Sequence, residues 1–129
     1  MIKIAYAYHI ASGEDWTEGA ELTALSDEVI DDRTAVPIRF NYPLTNPVDR
    51  IVQGPLTKRS LAEAITVEYD LIYDEEERSR TTDPNPRGPL LNRSATNGVH
   101  GIWGHDLADL VLEGAGRDDN GIWHLWLGS

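Results

Sequence analysis

The sequence predicts a single α+β domain, a mainly antiparallel sheet with one principal helix packed on it and a C-terminal β-hairpin. Three observations predict it. The opening MIKIAYAYHI alternates strictly, which is the period of a strand. Residues 56–80 carry Leu61, Ile65, Tyr69 and Ile72 at helical spacing. Near the end, DLVLEGA and IWHLWLG flank GRDDNG, whose Asn-Gly and aspartates are strong turn chemistry.

In chain order, Ile2, Ile4, Tyr6, Tyr8 and Ile10 form the bulky face of a strand over residues 1–10. Residues 11–33 are acidic with no clean period, mostly loop, with a short element around AELTALS. A second strand over 34–42 puts Val36, Ile38, Phe40 and Tyr42 on one face. Pro37 cannot donate to a ladder, so this strand lies at an edge or has its pairing interrupted there. A connection follows, containing at most a short strand at Arg50–Gln53. The helix covers 57–77, with Thr57 as N-cap and Ser60 with Glu63 as an alternative capping box. Asp74 with Arg78 and Glu76 with Arg80 stand at i,i+4 and can extend it through Arg80.

Residues 79–98 hold several prolines and glycines and form a long loop, of a kind that is often functional. A short turn at GHDLAD precedes the hairpin, and a helix through HDLADLVLEG competes with its first strand. On the last strand Trp123, Leu125 and Leu127 share one face, and Ile122, His124 and Trp126 the other. Bulk on both faces means a sheet covered on both sides, or one face left for a partner.

A chain of 129 residues suits one domain over 1–129, burying roughly two-thirds of its unfolded surface. No apolar run approaches the ~20 residues of a membrane span, and the start is a poor signal peptide. With no cysteine, disulfides and thiolate zinc sites are excluded. These features place the protein inside a cell: cytoplasmic, or within a host cell if viral. The net charge of −11 repels nucleic acid and anionic membrane and favours basic partners. Nucleotide composition or a salt-adapted host can also produce such acidity.

Candidate chemistry concentrates near the end. His100, His105 and His124 can supply imidazoles and Asp106 a carboxylate, for a metal or a metal-assisted hydrolase or lyase site. The spacing argues against it, because five residues put His100 and His105 on one face of neither a helix nor a strand. No nucleophile elbow, P-loop, dinucleotide fingerprint or EF-hand loop is present. The acidic run Asp74, Glu75, Glu76 and Glu77 falls at the helix C-terminus, where the macrodipole disfavours negative charge. It is a solvated face or a surface kept for a basic partner. Asn92, Arg93 and Trp103 complete a loop with the look of a binding site, although Asn92, Asn97 and Asp106 can equally serve turns and a cap.

The preferred reading is a non-enzymatic acidic module, without cofactor, that binds a basic protein surface as an inhibitor, antidote or phosphate mimic. The small hydrolase or lyase with His100, His105, Asp106 and His124 is the second reading. A structural subunit of a homo-oligomer or virion is the third.

Overall fold

The alternating start becomes β1 (Ile2–His9) in the computed structural model, which describes residues 2–15, 25–84 and 94–128. Tyr6, Tyr8 and Ile10 are buried while Lys3 and Ala5 face out, as a period of two requires. The strands that follow are β2 (Glu14–Asp15), β3 (Val29–Asp31), β4 (Ala35–Phe40), β5 (Val48–Gln53) and β6 (Leu56–Thr57). Helix α1 (Lys58–Ser79) comes next, and the hairpin of β7 (Val111–Arg117) and β8 (Trp123–Gly128) closes the chain. The main sheet runs β2-β1-β7-β8-β4-β5, antiparallel throughout except where β4 lies parallel to β8. Strands β3 and β6 form a separate antiparallel pair. The chain therefore has the α+β architecture its patterning predicts.

Thr57 caps α1: its hydroxyl accepts from the Ser60 amide at 3.0 Å, and the Ser60 hydroxyl accepts from the Thr57 amide at 2.7 Å. The box thus closes on Ser60 rather than Glu63. Leu61, Ala62, Ile65, Tyr69 and Ile72 are buried against the inner face of the sheet, where Val36, Ile38, Phe40, Leu112, Ala115 and Trp123 meet them. Tyr69 packs edge-on to Phe40 and donates its hydroxyl to the Tyr42 carbonyl. Helix α1 runs two residues past the predicted limit of 77. Arg78 pairs with Asp74, but Arg80 pairs with Glu77 instead of Glu76, which has turned inward.

Pro37 does not put β4 at an edge, because β8 flanks it on one side and β5 on the other. The pairing is interrupted instead: contact with β8 begins at Ile38, opposite Trp123, and includes Arg39, opposite His124. The predicted strand at Arg50–Gln53 starts earlier, at Val48. The competing helix at 105–113 is reduced to one 3₁₀ turn, Leu107–Asp109, whose Asp109 carboxylate accepts the Asp106 amide. Most of the predicted element at AELTALS lies outside the described residues.

The two-sided bulk of β8 has a specific cause. Trp126 lies across Gly114 and Gly116 of β7, where an added Cβ on Gly116 would stand 2.6 Å from the indole. The ring fills space that the glycines leave on the outer face, and Trp126 as a whole remains 44% exposed. Turning the hairpin, the Asp118 carboxylate accepts the amides of Asn120 and Ile122, and Gly121 adopts a positive φ of 80°.

On the inner side Trp123 is fully buried, and its indole N–H donates to Asp31 at 2.9 Å. Arg33 grips the same carboxylate through Nε at 3.0 Å and Nη2 at 2.7 Å. The Arg33 bonds hold the Asp31 carboxyl well below the usual range; burial opposes them and the Trp123 bond assists. Replacing Trp123 with Phe removes one donor from a buried carboxylate and leaves a void beside it. A loss of about 2–4 kcal/mol is expected, read as a lower denaturant midpoint at unchanged slope; an unchanged midpoint would contradict this account.

Candidate functional site

The four acids at the end of α1 have three kinds of surroundings. Asp74 and Glu77 are exposed, Glu75 is half-buried, and Glu76 is completely buried. Glu76 therefore does not belong to the outward acidic face that the sequence suggests. Position 76 is in register with Ile65, Tyr69 and Ile72, so its side chain enters the protein with theirs.

Inside, a loop wraps the carboxylate. The Thr96 hydroxyl donates to it at 2.5 Å, and the amides of Gly98, His100, Gly101 and Ile102 donate at 2.9, 2.9, 3.1 and 3.4 Å. Two glycines make this possible. Gly101 needs its positive φ of 63°, and a Cβ on Gly98 would strike the Glu76 carboxylate. Burial alone pushes the Glu76 carboxyl up, but the Thr96 hydroxyl and the amides of His100, Gly98 and Gly101 outweigh it and leave it below the ordinary range.

Glu75 reaches sideways to β5. Its Oε1 lies 2.5 Å from Nη2 of Arg50 and 2.7 Å from Nε2 of the buried His100. The bond to His100, then that to Arg50, holds the Glu75 carboxyl below its usual range, with burial opposing. The Arg50 Nε is buried with no hydrogen-bond partner and faces Glu68 at 3.8 Å.

The late histidines are engaged separately. His100 is held at α1 by Glu75. His124 stands on the outer face of the sheet and pairs with Asp118 at 2.7 Å. Its ring holds the Asp118 carboxyl below the ordinary range, and the Ile122 amide adds to the effect. His105 packs against Tyr42, ring centroids 5.7 Å apart, in a cluster that includes Trp103, and its carbonyl accepts the Tyr73 hydroxyl. The sheet stands between His124 and His100. The proposed set of His100, His105, Asp106 and His124 is therefore not brought to one point, and five residues of loop do not overcome the separate partners. Among the described residues no group of three or more His, Cys, Asp or Glu side chains is arranged to hold a metal ion. A cleft of about 280 Å³ is lined by Val29, Ile30, Asp31, Asp32 and Arg117, none of them a predicted site residue.

Of the predicted partner-binding residues, Asp74, Glu77 and Trp103 are exposed, Glu75 is half-buried in its ion pairs, and Asn92 and Arg93 lie outside the described residues. The outer face of α1 adds residues that sequence reasoning missed. Val67 is 56% and Leu71 46% exposed, one turn apart, with Glu63, Asp70 and Asp74 around them. The signal was present: Val67 and Leu71 fall off the buried stripe of Leu61, Ile65, Tyr69 and Ile72. No known protein-family model, curated protein or solved structure matches this chain.

Because Glu76 is more acidic folded than unfolded, the stability it contributes is complete above the ordinary carboxyl range and is lost as pH falls through the folded value. Denaturant midpoints are expected to fall below about pH 4, and to fall less steeply in Glu76→Gln. Glu76→Ala, which leaves the loop amides unpaired, is expected to cost roughly 3–5 kcal/mol. Equal acid sensitivity in wild type and Glu76→Gln would show that this carboxylate is not the titrating clasp.

Proposed function

We propose that the chain is a small acidic protein-binding module, of the inhibitor, antidote or phosphate-mimic type, that engages a basic protein surface through the outer face of α1. One observation carries the reading: the exposed apolar pair Val67 and Leu71 is ringed by the carboxylates of Glu63, Asp70 and Asp74. A long-range negative field raises the encounter rate with a cationic surface, and a small apolar patch supplies the contact that water leaves on docking.

Asp74 and Glu77 are paired with Arg78 and Arg80, so part of their charge is met on the helix itself. Glu63 and Asp70 have no ion-pair partner among the described residues and carry more of the steering. Trp103, 41% exposed beside Tyr42, supplies an aromatic anchor. With a net charge of −11 the reading gives no role to nucleic acid or anionic membrane as direct partners. It places the protein inside a cell, in the cytoplasm or within a host. Among the described residues no helix is long and apolar enough to cross a membrane.

The test uses a synthetic amphipathic helix with a leucine stripe flanked by lysine and arginine as a defined probe. Its association rate with the chain is expected to fall about tenfold or more between roughly 0.05 and 0.5 M salt. Val67→Asp with Leu71→Asp is expected to raise the dissociation rate by a similar factor while leaving attraction intact. Salt-independent association, or equal binding by the double variant, would overturn the proposal.

A further inference from the structure

We infer that β5 is a self-pairing edge, through which two copies of this chain join their sheets into one. Strand β5 ends the sheet, and no described element pairs with it on its far side. The opposite edge, β2, has only two residues, whereas β5 has six. At the centre of β5 stands Ile51, 65% exposed.

The direction of each backbone group follows from the β4–β5 ladder. The Gly54 amide donates to the Thr34 carbonyl at 2.8 Å, which sets the alternation: Val48, Arg50 and Val52 bond to β4. Pro37, opposite Ile51, fits the same pattern, because its missing N–H falls on the β8 side. Asp49, Ile51 and Gln53 therefore turn their N–H and C=O groups to the open edge. Such an edge is a ready template for another strand.

The sequence of β5 selects the second strand. Antiparallel pairing about a two-fold axis at Ile51 sets Ile51 against its own copy and Asp49 against Gln53. All three outward residues then exchange both backbone bonds. The Gln53 amide can donate to the Asp49 carboxylate, and Arg50 lies opposite Val52. A shift of register that centres the axis on Arg50 would oppose two guanidiniums and leave Gln53 unpaired. Pro47 and Pro55 bracket the strand and confine pairing to it. Charge points the same way: Asp49 is met by Arg39 at 2.8 Å and Arg50 by Glu75, so the charges of the edge are already balanced on a chain of net charge −11, where a copy can approach. The overall repulsion must still be screened, so salt is expected to strengthen this contact, opposite to its effect on the α1 face.

Sedimentation of the chain over roughly three decades of concentration, at low and high salt, reads the outcome directly. Expected are a concentration-dependent doubling of mass that increases with salt, and amide exchange at Asp49, Ile51 and Gln53 slowed by about tenfold or more in the dimer. Ile51→Pro removes an amide that the β4 ladder does not use and is expected to give a monomer. Ile51→Lys, which places like charges opposite each other, tests the same edge if the proline variant fails to fold. A single mass under every condition, or a dimer that survives in both variants, overturns the inference.

Discussion

The carboxylate of Glu76 joins the three parts of this molecule. It extends from the end of α1 into the interior and collects a hydroxyl and four amides from residues 96–102. That loop bridges onward to the segment after β4. Thr45 and Asn46 donate to the carbonyls of Gly101 and His100, and Leu44 pairs with Ile102, which is fully buried. The position of His100 against Glu75 and of Trp103 against Tyr42 both follow. A buried carboxylate is expensive unless its lone pairs are filled, and buried amides are expensive unless they find an acceptor. Here each satisfies the other.

This internal use of one acid changes the meaning of the rest. Asp74 and Glu77 meet arginines of their own helix end, and Asp31 is consumed by Arg33 and Trp123. The charge left to act at a distance lies elsewhere, on α1 at Glu63 and Asp70 and across the remaining surface. The two contacts we propose then draw on different side chains. One, on the outer helix face, depends on attraction between unlike charges. The other, at the neutral rim of the sheet, depends on unpaired backbone groups.

Legibility varied with the range of the interaction. Strand β1, helix α1 and the β7–β8 hairpin were readable because period, cap and turn chemistry are local properties of Ile2–Ile10, Thr57 and Asp118–Gly121. The parallel seam between β4 and β8 was not, since nothing near Ile38 announces Trp123 as its neighbour. Pro37 gave half the answer: an interruption was foreseen, and topology decided between interruption and edge. Glu76 was misread because a run of four acids looks uniform along the chain, while a helix turns each by about 100°. Its alignment with Ile72 and Tyr69 was visible, but its partners were a loop 20 or more residues away. The partners of the late histidines were not legible: only coordinates could show that His100 meets Glu75, His124 meets Asp118 and His105 packs on Tyr42. Val67 and Leu71 were missed because the helical period marks the buried stripe of Leu61, Ile65, Tyr69 and Ile72 and not the apolar residues off it.

The pairing of β1 with β7 carries a consequence for how the chain comes into being. Ile2 sits beside Arg117, so during synthesis β1 has no neighbour on that side until β7, about a hundred residues further on, has been translated. Contacts so distant along the chain close late and slowly. Throughout that interval a β-prone stretch rich in isoleucine and tyrosine, with a single lysine, remains uncovered. The nascent polypeptide is thus exposed to aggregation at β1 until β7 emerges to cover it.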